Sequence, residues 1–105
     1  MRSIHLAALD KSRPVLVLTG ELVRPHLTRV TVAPITSSAG GLSTEVRVGS
    51  RNGLDRPSVV SCDNVVTIPT AALGRQIGRL LPEQELTLTA ALQAAFDLED
   101  LPDLR

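Results

Sequence analysis

Apolar residues in this chain come in short runs, separated by polar stretches or by glycine and proline. Ile4–Leu9 reads as a first strand, and Asp10-Lys11-Ser12 as a tight polar turn. Five apolar or β-branched residues then follow Pro14, predicting a buried strand that begins there, where a residue without an N–H is best tolerated. Gly20 through Thr28, with Pro25, reads as a loop. Arg29–Thr36 is a second β-branched run, and Pro34 within it predicts an edge position or a bulge. Ser37–Gly41 reads as a loop of small residues. Thr44–Val48 alternates polar and apolar with period two, the mark of a half-buried strand. Asn52-Gly53 marks a turn. Ser58–Cys62 and Asn64–Ile68 read as a strand continuing through a bend and ended by Pro69. Thr70–Leu73 suits one helical turn, and Arg75–Leu80 a last strand.

From Pro82 to about Leu98 the period changes. Leu86, Leu88, Ala91, Leu92, Ala95 and Phe96 form one broad stripe at helical spacing, Pro82 suits a helix start, and Glu83 and Glu85 favour its positive end. Several short strands followed by a terminal helix predict an α+β or mainly-β barrel with a helix packed on it. At 105 residues, with no internal repeat or linker, the chain is expected to form one domain over 1–105.

Composition narrows the function. Hydrophobic residues make up 43%, too many for a disordered chain. Phe96 is the only aromatic residue, which excludes the stacking platforms of RRM- or OB-type nucleic-acid readers. Net charge is zero, but it is unevenly spread. The first 80 residues carry ten bases and five acids (+5), and the tail from Leu81 carries six acids against Arg105 alone (−5). Ten of the eleven bases are arginine, suited to bidentate phosphate contacts, although a GC-rich genome has the same effect. Cys62 is the single cysteine, so neither an intrachain disulfide nor a cysteine metal cluster is expected. Neither Cys62 nor the histidines show metal-ligand spacing, and no metal or other cofactor is expected. No apolar run approaches the ~20 residues of a membrane span, and a cytoplasmic chain is expected.

The candidate chemistry begins with Arg13 and Thr36, with Ser37 beside it. If the two strands that carry them lie side by side, a guanidinium and a hydroxyl converge. Cleaving RNA without a metal requires the 2′-hydroxyl to attack the adjacent phosphorus and a cation to stabilise the charged transition state, and a guanidinium donating two parallel hydrogen bonds serves the second need. A hydroxyl can donate one more. The alternative is a solvated strand-start residue and a turn residue. Asp10 reads as a general base or as the Asx residue closing the hairpin turn. His5 lies within an apolar strand, where a structural role is the default, and His26 follows Pro25 in the loop as a second acid–base candidate. Asp63-Asn64 caps a bend or reads a base edge.

With these residues laid out, the chain resembles the MazF/PemK family of toxin endoribonucleases, particularly its short actinobacterial members. The resemblance runs through the first strand, Lys11-Ser12-Arg13-Pro14-Val15-Leu16-Val17-Leu18, Val32-Ala33-Pro34-Ile35-Thr36-Ser37, Asn52-Gly53-Leu54, Pro57–Asn64 and Leu73–Gly78. It implies an SH3-like antiparallel β-barrel of the PemK/CcdB toxin type with a C-terminal helix, assembled as a homodimer. It implies a type II toxin that cuts single-stranded RNA at a short sequence without a metal, leaving a 2′,3′-cyclic phosphate and a 5′-hydroxyl. Arg13 and Thr36 fall on the family's catalytic arginine and threonine. Lys11, Ser12, Ser37, Arg24, Arg29 and Asn64 are candidate RNA contacts, and a MazE-like, acidic antitoxin is the implied protein partner. Many family members carry a glutamate in a longer first loop; no residue here matches it. Where they often have a tryptophan in the first strand, this chain has His5. The rival is a non-catalytic CcdB-like toxin on the same barrel, which would poison a protein target such as gyrase through its terminal helix.

Overall fold

The computed structural model describes residues 2–37 and 41–99. The inner part of the expected Ser37–Gly41 loop and the end of the acidic tail lie outside them. Seven strands form, β1 (Ser3–Ala8), β2 (Ser12–Val17), β3 (Arg29–Thr36), β4 (Glu45–Val48), β5 (Ser58–Ser61), β6 (Val66–Pro69) and β7 (Leu73–Arg79), followed by one helix, α1 (Pro82–Phe96). The fold is therefore α+β, an antiparallel sheet with a C-terminal helix.

The strands run in the order β4-β5-β3-β2-β1-β7, and β6 also pairs with β3. The central strand β3 has β2 along one side and two partners along the other: β6 against Arg29–Val32 and β5 against Ile35–Thr36. Pro34 corrects the expectation of an edge or a bulge. It lies in an interior strand, at the changeover where neither Ala33 nor Pro34 is paired on the β5/β6 side, so a residue with no N–H fits there.

Alternation along the strands sends side chains to two cores. Ile4, Leu16, Ala33, Ile35, Val46 and Val60 face one cluster, to which α1 contributes Leu88 and Ala91. Ala7, Val15, Val17, Val30, Val32 and Ile68 form the other, on the opposite face of β2 and β3. Both faces of these two strands are covered, which is why β2 reads as a continuous apolar run rather than an alternation.

The helix begins where expected: the Gln84 side chain accepts the Leu81 N–H at 2.9 Å, and Glu83 and Glu85 occupy the first turn. It ends at Phe96, with Asp97 in the left-handed region at φ 54°. The predicted broad stripe is narrower in the structure. Leu88 and Ala91 are buried and Leu92 and Ala95 partly so, but Leu86 is 79% and Phe96 54% exposed. At ~100° per residue, Leu86 sits about 200° round from Leu88 and faces away from the sheet. The start of α1 is tied to the turn at Ser50–Gly53 through buried Asn52, whose Nδ2 donates to Arg79 O at 3.0 Å and to Gln84 Oε1 at 2.6 Å. That turn presses on β7 closely enough that a Cβ on Gly78 would lie 1.7 Å from Asn52 O.

Candidate active site

Register brings Arg13 and Thr36 together. Val17 pairs with Val32 and Val15 with Pro34, so carrying the ladder one step further sets Arg13 opposite Thr36. On the other side Arg13 pairs with Ala7. By parity Arg13 shares its face with Val15 and Val17, and Thr36 shares its face with Val30 and Val32. Both side chains thus stand at the end of the smaller core, on the face away from α1.

Arg13 is held by its neighbour in the hairpin turn. Its Nη2 donates to Asp10 Oδ2 at 3.0 Å, while its Nε is buried and has no hydrogen-bond partner among the described residues. Partial desolvation works to raise the Asp10 pKa, but the hydrogen bond from the Lys11 backbone and the charge of Arg13 outweigh it and bring the carboxyl below its ordinary value. Asp10 is accordingly an ionised partner for the guanidinium.

Arg13 and Thr36 together line two hollows, one on each side of them. One, about 260 Å³, is cationic, with Lys11 and Arg56 against Asp55 and hydroxyls from Ser37 and Ser58. The other, about 420 Å³, contains Asp10, Glu45, Ser61 and Asn64, with Leu9 and Val66 as apolar wall. Of the residues singled out from sequence, Asp10, Lys11, Arg13, Thr36, Ser37 and Asn64 are gathered here. Ser12 is exposed at the start of β2, between Lys11 and Arg13.

Other candidates sit elsewhere. Arg24 docks on β1, with Nη1 donating to Ser3 Oγ at 3.2 Å and Nη2 to His5 Nε2 at 3.3 Å. His5 Nδ1 donates to the Gly74 carbonyl at 2.9 Å, so the ring's other nitrogen is the acceptor and His5 serves as a strut between β1, β7 and the loop. Arg24 lines a separate hollow of about 630 Å³, shared with Arg79. His26 is exposed at the end of a short helical turn, Arg24–His26, and lines neither hollow beside Arg13. Arg29 starts β3, seven residues or about 23 Å along the strand from Thr36. Cys62 is fully buried; burial, and then the charge of Asp63, push its thiol up to about 11, so it remains protonated.

Sequence reasoning did not single out Glu45, Arg56, Ser58 or Ser61. The alternation of β4 does turn Glu45 away from the core that takes Val46 and Val48, but only the tertiary fold says which hollow that face borders. Among the described residues no three His, Cys, Asp or Glu side chains are grouped as a metal would need.

This geometry has counterparts in known proteins. The family model for the PemK-like, MazF-like toxin of type II toxin–antitoxin systems matches residues 5–96. Endoribonuclease MazF3 of Mycobacterium tuberculosis is 65% identical over 99 residues, covering 94% of this chain and 96% of that protein. Among solved structures, Mycobacterium tuberculosis toxin MazF-mt6 superposes with a TM-score of 0.92 at 64% identity, covering 93% of this chain and 99% of that one. A mycobacterial endoribonuclease in complex with its cognate antitoxin has a TM-score of 0.84 over 94% of this chain and 95% of that one; at 22% identity, it shares the fold. With a family model covering most of the chain and relatives matching it nearly end to end, the chain belongs to the PemK-like, MazF-like toxins of type II toxin–antitoxin systems.

Proposed function

We propose that Arg13 and Thr36 are the groups with which this toxin endoribonuclease cuts single-stranded RNA. The observation that carries the reading is that these two side chains, from different strands, jointly wall both hollows. A phosphodiester lying across them meets the Arg13 guanidinium, which donates to its phosphoryl oxygens, and the Thr36 hydroxyl, which adds one donor. The 2′-oxygen loses its proton and bonds to phosphorus, the bond to the 5′-oxygen breaks, and that oxygen takes up a proton. The products are a 2′,3′-cyclic phosphate and a 5′-hydroxyl. Negative charge builds on the phosphoryl oxygens as the bond forms, and a preorganised guanidinium stabilises it without a metal ion. Asp10, ionised and paired with Arg13, is better suited to orienting that guanidinium than to accepting the 2′-proton.

The wider reading follows from the family. The sheet and helix form one toxin domain over residues 1–105, on an SH3-like barrel of the PemK/CcdB type. The chain works as a homodimer in the cytoplasm, where its RNA is, and a MazE-type antitoxin covers the groove. The antitoxin-bound mycobacterial relative supports that last point by analogy of fold. A basic surface suits both an RNA and an acidic antitoxin.

The test is cleavage of end-labelled RNA in EDTA by the parent, Arg13→Ala and Thr36→Ala. The parent cuts in EDTA, Arg13→Ala loses on the order of 10²–10³ in rate, as removal of one transition-state donor does elsewhere, and Thr36→Ala loses tenfold or more. Parental rates in both variants, or cleavage abolished by EDTA, would overturn the assignment. Growth arrest surviving both substitutions would favour a CcdB-like poison acting through the helix.

A further inference from the structure

The two hollows beside Arg13 and Thr36 differ in what they can bind. The smaller one, with Lys11 and Arg56, suits the anionic backbone of an RNA strand. The larger one suits a base. Leu9, Pro34 and Val66 give it apolar walls for the flat face of a ring, and Glu45, Ser61 and Asn64 give it a polar side. That polar side is built. Glu45 and Ser61 are partners across the β4–β5 ladder. Asn64 Nδ2 donates to Ser61 Oγ at 2.8 Å. Glu45 Oε1 accepts the Leu42 N–H at 2.9 Å, which orients the carboxylate, and Oε2 has no donor among the described residues.

A carboxylate only accepts hydrogen bonds. Cytosine, adenine and guanine each offer an exocyclic amino group, and pairing of a carboxylate with cytosine N4 is an established form of base readout. Uracil carries a carbonyl oxygen, O4, where cytosine carries its amino group, and its one donor, N3–H, lies between O2 and O4; a fixed carboxylate placed to meet the amino group therefore faces an oxygen and repels it. We propose that Glu45 is a specificity-determining residue, accepting a hydrogen bond from the exocyclic amino group of a base next to the scissile phosphate and excluding uracil from that position. This rests on the Arg13–Thr36 reading for where the strand is cut.

The test is to sequence the ends produced from a randomised single-stranded RNA pool by the parent, Glu45→Gln and Glu45→Ala. Gln keeps a carbonyl to accept the Leu42 N–H and adds a donor for uracil O4. The parent disfavours uracil at least tenfold at one position adjoining the cut. Glu45→Gln admits uracil there with the other positions unchanged, and Glu45→Ala flattens the preference at that position alone. A merely structural role would lower cleavage at all sequences alike and leave base preference where it was. If the parent cuts and both variants keep its motif, or uracil is accepted at every position beside the cut, Glu45 does not read a base. If either variant fails to fold, the other decides. If the parent cuts nothing in the pool, the nuclease reading itself falls and takes this inference with it.

Discussion

Asp10 lies in the hairpin turn between β1 and β2, three residues before Arg13, and this local arrangement sets the pose of the guanidinium. Asp10 is well exposed and its ion pair is screened by water, so it contributes little to stability and mainly restricts where Arg13 points. Asp10→Asn therefore lowers kcat for RNA cleavage severalfold while leaving the thermal midpoint nearly unchanged. The pH dependence has a definite sign. A carboxyl whose pKa is depressed in the folded protein holds its partner fully above its ordinary value of about 4, and the hold is lost as pH falls through the lowered value. The pair accordingly adds no pH dependence to parental cleavage near neutrality, and kcat measured in both proteins between pH 5 and 8 should show a constant ratio. A ratio that collapses towards one at the acid end would mean that the Asp10 carboxyl gains its proton in that range and is not held below its ordinary value. The Asp10–Arg13 spacing was visible in the sequence. Glu45 was not singled out, because nothing about a polar position on a half-buried strand reveals which cavity it borders.

At the scale of the elements, the strands were legible because their apolar runs are short and punctuated. β3 begins and ends as its β-branched run does, and the Asn52-Gly53 turn falls where the sequence signals it. The helix shows what periodicity leaves open. Six apolar positions lie at helical spacing, but Leu88 and Ala91 alone are fully buried, because α1 rests on the sheet along one narrow line. Leu88→Ala should cost about 2–5 kcal/mol in denaturant unfolding, as deletion of a packed leucine does. Leu86→Ala should stay within about 0.5 kcal/mol. Equal costs would mean that the helix faces the sheet differently. The misread proline has the same cause. Pro34 is compatible with an interior strand only because two different strands share one side of β3, and no local pattern announces that.

At the scale of the molecule, the uneven charge along the chain is partly reconciled by folding: Arg51 meets Glu83 at 2.6 Å and Arg2 meets Glu85 at 3.3 Å, so the start of the acidic tail lies against the basic body. Leu22, on the loop after β2, is 91% exposed and Leu86, on the outer side of α1, is 79% exposed. The proposed homodimer is checked by light scattering at micromolar concentration, which should return about twice the 11.2 kDa of one chain; a monomer would contradict it. The sequence by itself determined the order and type of most elements, because apolar periodicity, prolines and turn residues act within a few positions of where they stand; the run read as one bent strand from Ser58 to Ile68 is two, β5 and β6, with a helical turn at Cys62–Asn64 between them. The sequence also marked Arg13 and Thr36 as candidates. Only the tertiary structure decided that they are neighbours, since their meeting depends on the β2–β3 register and on strand parity over a separation of 23 positions. It alone set an acceptor-lined hollow on one side of them and a cationic one on the other, because those walls come from β4, β5 and loops that no local pattern ties together.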